Sequence, residues 1–246
     1  MPNYRQEIYR RYLSNFFGAS HNYSNIENDF ARHYRYFKKN FSAILPDSKN
    51  AKLLDAGCGL GHFLNYCERE GYNNVIGLDV SAEAALFCQK RGWRVEEGEL
   101  ADYLKLHQDQ FDCIIMNDIV EHLYKQELFD ILLLARGALT KNGRLIIKTP
   151  NMANPFLGSA GRYVDFTHEI GFTESSIREV LSAAGFSPTK VFGSDIYTQS
   201  FAPLNWLAKA AAKIFSSLLY LINCLYGRTS LKIFEKNIIV FADRNR

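Results

Sequence analysis

Paired cysteines are missing from this sequence. Its five cysteines stand at positions 58, 67, 88, 113 and 224, an odd number with no C-x-x-C pair, which argues against a disulfide framework or a zinc ribbon and for reduced thiols. A charge imbalance is missing too. The formal net charge of +3 singles out no nucleic acid, membrane or acidic partner. The amino terminus, "MPNYRQEIYRRYLSNFF", lacks the continuous apolar run of a secretory signal, so a cytoplasmic protein is expected. Compositional extremes are absent as well: 47% hydrophobic and 22% charged residues over 246 positions rule out disordered and collagen-like chains. They suit one globular domain with an appendage and a sizeable core.

What is present is an alternation. Short β-rich apolar runs, "KLLDA" (52–56), "NVIGLDV" (74–80), "WRVEEG" (93–98), "FDCIIMN" (111–117) and "RLIIKTP" (144–150), are separated by "GHFLNYCEREG", "AEAALFCQKRG" and "QELFDILLLARGAL". The latter are apolar at three- and four-residue intervals. Strand, helix, strand repetition predicts an α/β fold with a parallel, doubly wound sheet whose ligands bind at the carboxyl ends of the strands.

The polar motifs fall at those ends. "LLDAGCGLGHF" sets Gly57, Gly59 and Gly61 behind an apolar run, a G-x-G-x-G turn rather than the G-x-G-x-x-G of dinucleotide sites. Such a turn brings backbone close to a ligand. Asp55, just ahead of it, suits a cationic or amino-bearing ligand better than a pyrophosphate, or else it caps the next helix. Asp79, ending the second run about 20 residues on, is placed to bind ribose hydroxyls. Glu99 or Asp102 is within reach of an adenine or simply starts a helix. Asn117, Asp118, Glu121 and His122 in "MNDIVEHL" are too polar for packing alone and mark a strand end facing a site.

In order and spacing, "LLDAGCGLG", "GLDVS", "FDCIIMNDIVEHL" and "LTKNGRLIIKTPN" resemble the successive motifs of class I S-adenosylmethionine-dependent methyltransferases, over roughly residues 50 to 190. The resemblance implies a Rossmann-like sheet of seven strands, mostly parallel, with the last, "KNIIVFADR", antiparallel. It implies S-adenosyl-L-methionine as cofactor and S-adenosyl-L-homocysteine as product, with Asp55, Gly57, Cys58, Gly59 and Gly61 around the methionine moiety. Asp79 and Val80 then lie at the ribose, Glu99 and Leu100 beside adenine, and Asn117 and Asp118 at the cofactor side of the cleft. Family members commonly carry Asp where this chain has Glu99.

The acceptor is a separate question, because this fold hosts many substrates. Residues 150–186, with "YRQEIYRRYLSNFFG" near the amino terminus, resemble methyltransferases encoded among bacterial surface-polysaccharide genes, which implies a sugar hydroxyl on a nucleotide-linked, lipid-linked or polymeric glycan. The alternatives are a small quinone or aromatic acid, or a protein that binds the nucleoside without catalysis. "RYVDFTHE" gathers Arg162 and Tyr163 as substrate contacts and Asp165 with His168 as an oriented general base. His122 is the competing base or an acceptor-side contact. Asp165, His168 and Glu169 as ligands of a divalent metal form a less favoured alternative, so no metal is assigned. The histidines at 21, 33, 62 and 107 are read as surface or structural, and Thr173 as a helix N-cap.

Two helical segments flank this core. Phe30, Tyr34, Phe37 and Phe41 recur at helical spacing among Arg32, Arg35, Lys38 and Lys39; this is read as a lid over the cleft rather than a nucleic-acid surface. Leu204, Leu207, Ala211, Phe215, Leu218, Ile222 and Leu225 form an apolar stripe in 203–226, which packs on the domain, pairs two copies, or lies on the inner face of the membrane beside Trp206, Lys209 and Lys213. The expected organisation is a helical lid or substrate cap over 1–48, the methyltransferase core over 49–200, the amphipathic insertion over 201–230 and the final strand over 231–246.

Overall fold

The computed structural model describes residues 4–10, 26–156, 158–194, 202–227 and 229–244. Its apolar runs form β1 (Leu53–Ala56), β2 (Val75–Asp79), β3 (Val95–Glu97), β4 (Phe111–Asn117), β5 (Leu139–Pro150), β6 (Phe186–Gly193) and β7 (Asn237–Arg244). They make one sheet in the order β3-β2-β1-β4-β5-β7-β6. All pairings are parallel except those of β7, which runs antiparallel to both β5 and β6.

The continuous apolar runs follow from burial of both sheet faces. Leu54, Ile114, Ile147 and Val240 face one core, whereas Leu53, Ile115, Ile146 and Ile239 face the other. The helices are α1 (Tyr4–Arg10), α2 (Ile26–Phe41), α3 (His62–Arg69), α4 (Ala82–Lys90), α5 (Leu100–Leu106), α6 (Lys125–Ala138), α7 (Gly158–Tyr163), α8 (Glu174–Ala183) and α9 (Ala202–Leu225). Residues of α5, α6 and α8 fill the first core; α2 and α3 fill the second through Phe37, Phe41, Phe63 and Tyr66. Thr173 caps α8 as its sequence predicts: its hydroxyl accepts from Ser176 N, and Ser176 Oγ accepts from Thr173 N.

One strand is hidden in the sequence. β6 carries Pro188, which reads against a strand. It occupies the sheet edge, where a missing N–H costs no ladder bond, and its register slips between Pro188 and Lys190. Between β6 and β7 the chain runs through α9, whose leucines face outward.

Candidate active site

The strand order reverses between β1 and β4, and the loops leaving their carboxyl ends diverge there to form a crevice. A cavity of about 370 Å³ occupies it. Its floor is the glycine turn. Gly57 and Cys58 both donate backbone N–H to Leu78 O (2.7 and 3.0 Å), and Gly59 N donates to Asp79 Oδ2 at 2.8 Å. Gly59 has φ +51, and a Cβ there would meet nothing within 4 Å: the space above it belongs to the cavity. At Gly57 (φ +68) a Cβ would come within 3.0 Å of Ile119 Cδ1, so that glycine lets the loops after β1 and β4 approach.

Polar groups on the cavity wall are left without partners. Asp55 is buried, and its Oδ2 has no hydrogen-bond partner among the described residues; the same holds for both amide atoms of Asn117. Burial, then repulsion from Asp79, raises the Asp55 carboxyl well above the usual range. Burial also raises Asp79, against the N–H groups of Ser81 and Gly59 that its carboxylate accepts. Asp118 holds a left-handed backbone (φ 51) and pairs with the largely buried Lys148. Burial opposes the Lys148 charge, but Asp118 outweighs it and raises the ammonium.

His122 closes the other end, on a 3-10 turn (Val120–His122) after β4. The Thr167 hydroxyl donates to Asp165 Oδ1 at 2.7 Å, so its oxygen accepts from His122 Nδ1 at 2.7 Å. That chain fixes the tautomer with the proton on Nδ1 and leaves Nε2 bare. Burial, then the neighbouring His168, lowers His122 to about 4, which keeps the ring neutral. His168 stands behind it, edge-on at 4.6 Å, with Nδ1 donating to Gly161 O at 2.6 Å. The Glu121 side chain points into the protein, where burial and then Asp118 raise it to about 8 and its Oε2 accepts from Thr149.

The amino-terminal helices line the same cavity. Arg5 and Tyr9 come from α1, and Arg5 pairs with Glu127 at 2.7 Å. His33, Tyr36 and Phe37 come from α2. His33 donates Nδ1–H to Asp29 O and is lowered to about 4 by burial, then by His62, whose ring lies 4.0 Å away. His62 Nε2 meets Asp29 Oδ2 at 2.8 Å. Burial works to raise Asp29, but the bond from His62 and the charges of His33, His62 and Arg32 hold it at about 2.

A glycine turn at the reversal point, an unpartnered buried carboxylate over it and a second carboxylate tied to the turn form a cradle for a nucleoside carrying an amino group. The family model of a methyltransferase domain matches residues 30–191. The chain belongs to that family. Among solved structures, a S-adenosylmethionine-dependent methyltransferase from Archaeoglobus fulgidus superposes with a TM-score of 0.62 at 22% identity, covering 88% of this chain and 93% of that one. The 1,6-didemethyltoxoflavin-N1-methyltransferase of Burkholderia thailandensis, which holds S-adenosylhomocysteine, gives 0.59 at 16% identity, covering 100% and 92%. A malonyl-[acyl-carrier protein] O-methyltransferase of Pectobacterium atrosepticum is 37% identical over 62 residues, 25% of this chain and 24% of that protein. The unpartnered Asp55 Oδ2, the unpartnered Asn117 amide and the open space over Gly59 fit S-adenosylmethionine, the cofactor on which the Archaeoglobus protein depends.

The methyltransferase gathers most of the residues its sequence singles out. Asp55, Gly57, Cys58, Gly59, Asp79, Val80, Glu99, Leu100, Asn117, Asp118 and His122 line the cavity, and Gly61 caps α3 beneath it. Asp55 caps no helix. Four expectations change on the acceptor side. Asp165 orients His122 through Thr167, not His168, because the hydroxyl stands between them. His168 lies behind His122 rather than on the wall. Arg162 donates to Glu169 O, Tyr163 is 80% exposed, and neither lines the cavity. Asp165, His168 and Glu169 do not converge: Glu169 accepts from Tyr4 OH, while the ligand atoms within 4.8 Å of one another belong to Glu121, His122 and His168 and to Asp29, His33 and His62. His33 and His62 are therefore not bystanders; His21 lies outside the described residues, as do residues 11–25 of the amino-terminal segment. Lys148 joins the cavity wall as well, and its signal in the sequence is a lysine inside the apolar run "RLIIKTP", a charge that needs a buried partner.

Proposed function

We propose that this methyltransferase methylates a hydroxyl of a bacterial surface-glycan precursor, in the cytoplasm before export, with His122 as general base. The chain Asp165, Thr167, His122 carries the reading: it presents a neutral imidazole with a bare Nε2 on the cavity wall, the form needed to take a proton from an alcohol. Asp55 and Asn117 hold the amino-acid end of the cofactor, Asp79 its ribose, and Glu99 with Leu100 its base. When bound, S-adenosylmethionine supplies an electrophilic methyl group on a sulfonium. The protein's task is then alignment of the acceptor oxygen, for which proximity provides much of the rate. Tyr9, His33 and Tyr36 reach the cavity from α1 and α2, which act as the lid that excludes water.

Cavity size supports a large acceptor that inserts only its reacting group. About 370 Å³ lies at the lower end of the range for a single ligand, so the cofactor fills most of it. The names of the related enzymes favour a second reading, a small-molecule acceptor held inside. Methyl transfer assays with nucleotide- and lipid-linked glycans against small acids and quinones decide between them. His122→Asn is expected to lose transfer by about a hundredfold with S-adenosylmethionine affinity retained. Loss in His168→Asn with full activity in His122→Asn reverses the assignment of the base.

A further inference from the structure

α9 displays its apolar stripe to solvent. Leu204, Leu207, Ile214, Leu218, Leu221 and Leu225 are 46–79% exposed, whereas Ala208, Ala212, Phe215 and Leu219 along the adjoining flank are half-buried. So large an exposed apolar surface marks an interaction site. The helix is long and apolar enough to cross a bilayer, but the topology forbids it. Its amino-terminal flank follows β6, and Gly193 of β6 pairs with Ile238 of β7. A spanning α9 would force residues 226–236 back through about 30 Å of hydrocarbon with unpaired backbone. The stripe is therefore suited to lie flat.

Charge decides what covers it. Residues 201–234 contain Lys209, Lys213, Arg228 and Lys232 and no aspartate or glutamate. Lys213 and Lys232 are exposed, and a second copy laid against this face would bring further cations to it, while anionic headgroups bring the opposite charge. Trp206 and Tyr226, 77% and 81% exposed, have the amphipathic rings that settle at headgroup depth.

A second exposed patch continues the first. Phe156, 70% exposed, stacks on Phe215 of α9 at 5.0 Å, and Val164 and Phe166 are 74% and 80% exposed. Phe166 immediately precedes Thr167, the partner of His122, and packs edge-on against Tyr4 of α1 at 5.6 Å. The apolar surface thus extends to the base side of the cavity.

We propose that α9, Phe156, Val164 and Phe166 form one docking face for an anionic lipid bilayer, which sets the cavity against the headgroups so that the acceptor is presented from a lipid anchor. The presentation of acceptor rests on the methyltransferase reading of the cavity; the docking does not. The test is co-sedimentation of the full chain with vesicles of mixed phosphatidylglycerol and phosphatidylcholine, against pure phosphatidylcholine, with S-adenosylmethionine calorimetry on the same preparations. The expected result is pelleting with the anionic vesicles, weakened by salt, and a drop of at least about tenfold in Leu207→Glu/Leu218→Glu; this variant is exposed and should keep cofactor affinity. A second variant, Phe166→Ser, should weaken pelleting without touching α9. No pelleting, or pelleting unchanged in the double variant, overturns the proposal. So does a dimer in light scattering that the double variant dissociates, which would make the stripe a self-association face. Pelleting without any cofactor affinity in the unaltered protein would sink the reading of the cavity and leave the docking intact.

Discussion

Asp55 is a carboxylate placed where water does not reach it and no donor in the described structure meets its Oδ2. Such a group costs stability until a cation arrives. Asp55→Asn should therefore weaken S-adenosylmethionine binding by about tenfold or more while the melting temperature holds or rises; calorimetry and thermal melts check both. The sign of the pH effect follows. Because burial and then Asp79 raise its pKa in the free protein, a cationic ammonium must displace a proton, so affinity should rise with pH. Titrations in buffers of different ionisation enthalpy should show net proton release, and a pH-independent affinity would contradict this role. At His122 the acid limb of kcat/KM is expected near 4, where the ring of the free protein protonates, instead of at the ordinary histidine value.

Among the elements, the glycine turn separates conformation from contact. Gly59→Ala meets only backbone strain, since its φ is +51 and a Cβ finds no atom within 4 Å; the cost is about 1–2 kcal/mol, together with intrusion into the cavity. Gly61→Ala adds a collision: its Cβ would lie 2.4 Å from Trp93 Cζ3, and such overpacking costs roughly 1–3 kcal/mol beyond the strain. Urea unfolding should rank Gly61→Ala as the less stable, and cofactor titration should find Gly59→Ala impaired even where it is folded. The turn was legible in sequence because glycines at alternate positions behind an apolar run have few other uses. β6 was not, since an edge strand tolerates a proline and a register slip that a central strand does not.

For the whole molecule, two cavity histidines work against stability in acid. His33 and His122 are both lowered to about 4, each by burial first and then by a neighbouring histidine. Above the unfolded value near 6.5 both states bind the same protons, so no stability is at stake there. As pH falls from 6.5 toward 4 the unfolded chain takes up protons that the folded one refuses, and stability drops by up to about 1.4 kcal/mol per pH unit for each ring. Glu121, raised to about 8, and Asp55 and Asp79, raised likewise, keep protons over that window that the unfolded chain lacks, and so oppose the loss. The histidine contribution is therefore read as a difference: His33→Asn should gain melting temperature relative to the unaltered protein as pH falls from 6.5 to 4, and a pH-independent difference would place the acid sensitivity elsewhere. The sequence by itself determined the alternation of strand and helix, the doubly wound sheet and the cofactor cradle, because each rests on local periodicity or on one turn whose geometry the chain carries with it. Only the tertiary structure decided the acceptor side. Which histidine meets the cavity depends on a hydroxyl 45 residues along the chain from His122. That His33 joins His62, that Lys148 pairs with Asp118 and that the leucines of α9 turn outward depends likewise on which elements pack together, and no local pattern encodes that.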